Sequence, residues 1–140
     1  MTDDSHLLDK LTHREIKPTA MRLLILRTMV EAGRALSLVD IVDLLETVDK
    51  STVSRTLSLF LSHHLVHTID DGSGALKYAV CGDESAAEVD EFHVHFFCTR
   101  CRRTFCLRGL PVPLVHLPQG FSLSSVNYVM KGVCADCQRL

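Results

Sequence analysis

The sequence predicts an α+β fold, and three observations predict it. Apolar residues recur at helical spacing through the first 64 positions. An Asp71-Gly72-Ser73-Gly74 turn joins two short strand-like runs, 65–70 and 76–81. The remainder is patterned as strands flanking two Cys-x-x-Cys pairs.

Residues 6–16 read as a short polar helix stopped by Pro18, with the first ten residues loose. Thr19 is a suitable N-cap for a helix over 20–32, whose broad apolar face is Leu23, Leu24, Ile25, Leu26, Met29 and Val30, and Gly33 ends it. Ser37 caps a third helix, 38–47, with Ile41, Val42, Leu44 and Leu45 inward and Asp40 and Asp43 outward. Asp49 precedes a fourth, about 51–64, where Val53, Leu57, Phe60 and Leu61 share one face and Ser51, Ser54, Arg55, Ser58 and Ser62 the other. Helices followed by a hairpin form the winged-helix pattern. The acidic, aperiodic segment 82–91 reads as a linker, giving units at 1–81 and 92–140. In the second, strands are expected at 92–98, 103–107 and about 122–133, while Pro111, Pro113 and Pro118 leave room for one helical turn at most.

Composition narrows the function. An apolar share of 46% with 23% charged residues describes a folded globular chain. No run approaches the ~20 apolar residues of a membrane helix, and no basic-then-apolar leader opens the chain, so a cytoplasmic location without membrane association is expected. The net charge of −2 means that any nucleic-acid surface is a local patch.

Six cysteines are many for a reducing compartment. Cys98 with Cys101 and Cys134 with Cys137 have the spacing of metal ligands, and two such turns close a tetrahedral Cys₄ site of the structural zinc type. His93 and His95 fall on one face of a strand, where they can serve a second metal or form a solvated pair. His67 on the first hairpin strand and Cys81 at the end of the second lie beside the linker, and Cys106 is a further unpaired thiol. The small hydroxyls and the arginine on the polar face of 51–62 suit a helix entering the major groove. Lys17, Arg22, Lys50 and Arg55 would contact phosphates, with Thr19, Ser51, Thr52 and Ser54 beside them.

Taken together, these parts resemble the ferric uptake regulator (Fur) family over about residues 11–140. Lys17-Pro18-Thr19-Ala20-Met21-Arg22 is similar to the family's opening of its second helix. Ser51-Thr52-Val53-Ser54-Arg55-Thr56-Leu57 is similar to its recognition-helix motif, Thr-Val-Tyr-Arg-Thr-Leu. His93-Val94-His95-Phe96-Phe97-Cys98-Thr99-Arg100-Cys101 matches its metal motif in spacing. The resemblance implies a homodimeric repressor of operator DNA with a winged helix, a small C-terminal α/β dimerisation domain, and a regulatory metal at the hinge. It implies His67, Cys81, His93 and His95 as the regulatory ligands, with Cys106 as an additional candidate. A cysteine at the end of the wing, here Cys81, is the mark of the family's zinc sensors (Zur type). Ala79 and Ala35 stand where iron and peroxide sensors place a carboxylate and a histidine. Zinc is therefore the expected regulatory metal, with Fe²⁺ or Mn²⁺ as the alternatives. Three departures stand out: Ser54 in place of the tyrosine, a proline-rich 107–120 segment too short for the usual dimerisation helix, and Cys106 in place of a carboxylate.

Other readings are a constitutive DNA-binding protein with only the structural zinc, an iron or peroxide sensor, and a zinc hydrolase or deaminase. The last needs His-x-Glu with Pro-Cys-x-x-Cys. Here His95 stands at the Glu position and Phe97 precedes Cys98, so neither catalysis nor a small-molecule substrate is expected.

Overall fold

Leu7 and Leu11 are one helical turn apart and both fully buried, which gives the first element its role as a lid on the N-terminal core. A computed structural model describes residues 4–80, 94–107, 109–124 and 126–139. Helix α1 spans Asp4–His13, so part of the segment expected to be loose is ordered by this burial. It ends before Pro18, where Glu15 turns the chain at φ 60° and Ile16 N–H closes onto the Leu11 carbonyl at 2.9 Å. Helix α2 (Ala20–Ala32) starts at Thr19, whose hydroxyl accepts from Arg22 N–H, and stops at left-handed Gly33.

Strand β1 (Leu36–Ser37) leads into helix α3 (Leu38–Leu45), closed by a reciprocal capping box between Ser37 and Asp40. Helix α4 spans Lys50–Ser62 and buries Val53, Thr56, Leu57 and Phe60. Two side chains assigned inward, Leu61 and Leu44, are exposed at 39% and 53%. On α4 the i, i+3, i+4, i+7 stripe centres on Thr56, whose hydroxyl is satisfied by the Thr52 carbonyl at 2.9 Å, and Leu61 falls outside it. Strands β2 (Val66–Ile69) and β3 (Lys77–Val80) form the wing in an antiparallel sheet ordered β1-β3-β2.

A second sheet is ordered β5-β4-β6. Strand β4 (Val94–Cys98) runs antiparallel to β5 (Thr104–Leu107) and parallel to β6 (Val129–Gly132), and helix α5 (Ala135–Gln138) follows. Of the strand expected over about 122–133, the part that pairs among the described residues is Val129–Gly132, alongside β4. Residues 109–124 form no helix or strand beyond a turn at 119–120, and Leu114, Val115 and Phe121 are 86%, 79% and 68% exposed. The proposed linker 82–91 lies outside the described residues.

The two sheets touch. Ala35 N–H donates to the Thr104 carbonyl at 2.8 Å, and Ala35, Ile69 and Ala79 pack against Cys106 and Val129. Alternation along the strands places His95 and Phe97 of β4, Thr104 and Cys106 of β5, and Val129 of β6 on this wing-facing side.

Phe60 is fully buried at the centre of the helical core. Phe60→Ala is expected to lower unfolding stability by about 3–5 kcal/mol, read as a shift of the urea midpoint. An unchanged midpoint would show that α4 does not carry the core.

Candidate metal centres and nucleic-acid interface

The β4–β6 register pairs Cys98 with Gly132, so the chain leaving β6 delivers Cys134 and Cys137 to the Cys98 knuckle. Arg102 makes that knuckle tight by adopting φ 64° while its N–H reaches the Cys98 carbonyl at 2.8 Å. The Cys98–Cys137 and Cys101–Cys134 sulfur pairs are each 3.8 Å apart, and all four sulfurs lie within 4.8 Å of one another. Zinc–sulfur bonds of about 2.3 Å in a tetrahedron give an S···S edge of about 3.8 Å. The donor set therefore fits a closed, tetrahedral, thiophilic ion.

Protein groups already favour negative charge here. Burial disfavours a Cys98 thiolate, but backbone N–H groups outweigh it and bring the thiol down to about 5; those of Cys101 and Cys134 each donate at 3.4 Å. The Arg103 guanidinium donates to Cys101 Sγ at 3.2 Å and lowers that thiol also. Burial, with the neighbouring sulfurs, pushes Cys137 up to about 12. Sequence reading missed Arg103, because an arginine after a knuckle carries no spacing signal.

The second cluster joins the wing to the C-terminal sheet. His67 comes from β2, His95 from β4 and Cys106 from β5, where β4–β5 pairing sets His95 opposite Cys106. The His67 and His95 Nε2 atoms face each other at 3.3 Å, and Cys106 Sγ lies 3.9 Å from His67 Nε2. Bonds of about 2.0–2.1 Å to one tetrahedral ion imply an N···N edge of about 3.3 Å. Both histidines are buried, at 8% and 4% exposure, so His95, one member of the pair read from sequence, is withdrawn from solvent. Cys106, an additional candidate by sequence, is thus one of the three ligand atoms the described fold brings together. Cys81 and His93 lie outside the described residues.

A third polar cluster had no sequence signal. Lys77 Nζ donates to Asp71 Oδ2 at 2.7 Å and to Thr104 Oγ1 at 3.1 Å, and the Thr104 hydroxyl donates to the same carboxylate. Burial disfavours the Asp71 carboxylate, but hydrogen bonds from Lys77, Ser73 and Thr104 outweigh it and hold the group well below the usual range.

The suspected DNA residues form two groups at helix N-termini. At α4, Lys50, Ser51, Ser54 and Arg55 are exposed and Thr52 half-buried. The Ser51 and Thr52 hydroxyls both donate to Asp49, lowering its pKa, and Arg55 reaches Thr52 Oγ1 at 3.4 Å. At α2, Lys17 is exposed and Thr19 serves as the cap, while Arg22 donates to the Lys17 carbonyl at 2.8 Å.

The profile of the ferric uptake regulator family matches residues 13–109, more than half of the chain. The chain belongs to the ferric uptake regulator family. It is accordingly a metal-responsive regulator by family. The Fur fold is matched along the whole chain by solved structures. A zinc uptake regulator complexed with zinc and DNA is 24% identical, with a TM-score of 0.68 over 99% of this chain and 97% of that one. The holo form of XcZur is 17% identical, with a TM-score of 0.66 over 99% and 100%. The Helicobacter pylori ferric uptake regulator is 15% identical, with a TM-score of 0.62 over 98% and 95%. No curated protein sequence matches significantly. At these identities the structural likeness speaks for the fold alone: winged helix first, small α/β unit second.

Arg103 supplies positive charge beside the sulfur cluster, donating to Cys101 Sγ at 3.2 Å and to Cys134 Sγ at 3.9 Å. Losing such an outer partner costs about 10–100-fold in metal affinity. A metal ion held by the four cysteines is therefore expected to pass from Arg103→Ala to a competing chelator at a correspondingly lower chelator concentration than from wild type. An unchanged competition curve would remove Arg103 from the site.

Proposed function

We propose that this chain is a zinc-responsive transcriptional repressor that binds operator DNA as a homodimer, with zinc at two places. The observation that carries the reading is the convergence of His67, His95 and Cys106 on the seam between the wing and the C-terminal sheet. Two imidazoles and a thiolate favour zinc over iron or manganese, which prefer harder donor sets. By sequence position we assign Cys81 and His93 to the same regulatory centre, and the Cys98, Cys101, Cys134, Cys137 centre to structural zinc. The domain division at 82–91 belongs to this proposal, as does the absence of catalysis.

Bound at the seam, the ion supplies a cross-link between two otherwise separable units. His67 belongs to the strand that follows the recognition helix α4, so fixing its ring against His95 fixes the direction in which α4 points. Regulation then follows as a population shift: the DNA-competent arrangement presents the ligand atoms together, and the undocked one separates them. Lys17, Arg22, Lys50 and Arg55 would meet phosphates, with Thr19, Ser51, Thr52 and Ser54 close to the backbone or base edges. Ser51 and Thr52 must first leave Asp49, which favours a contact made only on a fitted groove. The exposed apolar side chains Leu110, Leu114, Val115 and Phe121 are the surface we assign to the second protomer.

The test is operator binding during a zinc titration of the wild type, Cys106→Ser and Cys81→Ser. Wild type should gain about 5–150-fold in operator affinity, the range of ordinary allosteric coupling. Each variant should stay folded with its structural zinc and lose most of that gain. Zinc-independent operator binding by the wild type would overturn the regulatory reading. In parallel, Arg55→Ala should weaken binding across sequences and lower the salt slope by about one; a wild-type salt slope would remove α4 from the groove.

A further inference from the structure

We propose that Asp71, Lys77 and Thr104 are positioning residues: a latch, made only of protein groups, that seats the wing on the C-terminal sheet in the absence of metal at the seam. The inference rests on the preceding reading in one respect, that the seating of the wing matters for DNA binding. Asp71 and Lys77 belong to the wing hairpin and Thr104 to β5, so the cluster crosses from one unit to the other. Its side chains are withdrawn from water: the Lys77 and Asp71 side chains are 7% and 0% exposed, and Thr104 is 0% exposed. Lysine and aspartate are almost never buried without a partner. Undocking would break the hydroxyl's bonds to both charges and exchange them for bonds to water, while Asp71 and Lys77, on one hairpin, would stay paired.

Neighbouring contacts specify the same seating. The Lys77 ammonium lies 5.4 Å from the centroid of Phe97, the residue paired with Thr104 across β4 and β5. Asn127 donates to the Asp70 carbonyl at 2.8 Å. Gly72, at φ 82°, passes so close beneath Lys131 that an added Cβ would stand 2.9 Å from its Nζ. Thr104 and Cys106 are two residues apart on one face of β5, so the latch and the seam ligands grip the same strand. With the latch closed, His67 already stands against His95 and Cys106, and a metal arriving there meets assembled ligands.

The Ala35 amide reports the latch directly, since its hydrogen bond to the Thr104 carbonyl spans the two units. The experiment is amide hydrogen exchange on full-length protein treated with a mild chelator that spares the thiolate-bound metal. It compares the wild type, Thr104→Val and the conservative Thr104→Ser. Wild type and Thr104→Ser should protect Ala35, and Thr104→Val should lose about tenfold or more of that protection. Amides inside α4, such as that of Leu57, should stay as slow as in wild type, which a general loss of stability would not allow. Added zinc should restore protection at Ala35 in the valine variant. Equal Ala35 exchange in chelated wild type and Thr104→Val would overturn the latch, as would equal acceleration of Ala35 and Leu57. A latch effect at Ala35, with operator binding indifferent to zinc, would uphold the latch and sink the regulatory reading.

Discussion

The wing meets the C-terminal unit mainly on one face of a three-stranded sheet, and the alternation of side chains along β4 and β5 creates that face. His95 and Phe97 point to it from one strand, Thr104 and Cys106 from the next. A shift of one residue in their pairing would turn the two side chains of the shifted strand away, so that a slip of β5 would present Phe105 and Leu107 to the wing in place of Thr104 and Cys106. The register is held at its far end by the Cys98 knuckle and the returning Cys134–Cys137 segment. An ion closing the four cysteines would therefore do more than close a loop: it would fix the strand alignment on which the seam and the latch depend.

The chain's positive charge is distributed in keeping with this arrangement. Lys77 is consumed inside the interface, Arg103 lies against the sulfurs, and Arg102 sits 5.5 Å from the Phe97 ring centroid. Arg22 is engaged at the corner of α2. With a net charge of −2, basic surface is sparse: Lys17, Lys50 and Arg55 are exposed at the N-termini of α2 and α4, and Arg100, Arg102, Lys131 and Arg139 on the C-terminal unit. Affinity for DNA in such a molecule depends on presenting those few groups together, so geometry rather than bulk charge has to control it.

Most of the helical half is legible in the sequence, because its signals are local. Thr19, Ser37 and Gly33 mark helix ends, and the Asp71–Gly74 turn marks the hairpin. The paired cysteines are legible for the same reason, since a metal knuckle is a local motif. What is not legible depends on tertiary register. Cys106 reads from sequence as an additional candidate ligand, and β4–β5 pairing sets it opposite His95. Asp71 reads as a turn residue, Lys77 as a strand residue and Thr104 as nothing in particular, and only their convergence makes a cluster. Leu61 and Leu44 fit a helical stripe by spacing yet lie outside the arc that is covered. The strand expected at 122–133 pairs over 129–132, where it lies beside His95–Cys98 of β4.

In the proposed regulator a metal ion joins the wing to the C-terminal sheet through His67, His95 and Cys106, separately from the four-cysteine centre. Zinc content per chain, measured before and after mild chelation together with X-ray absorption of the removable fraction, tests it most directly. The account predicts two zinc ions per chain, with the more readily removed one showing mixed nitrogen and sulfur ligation and leaving a folded protein behind. A chain that saturates at one zinc bound by four sulfurs would contradict it.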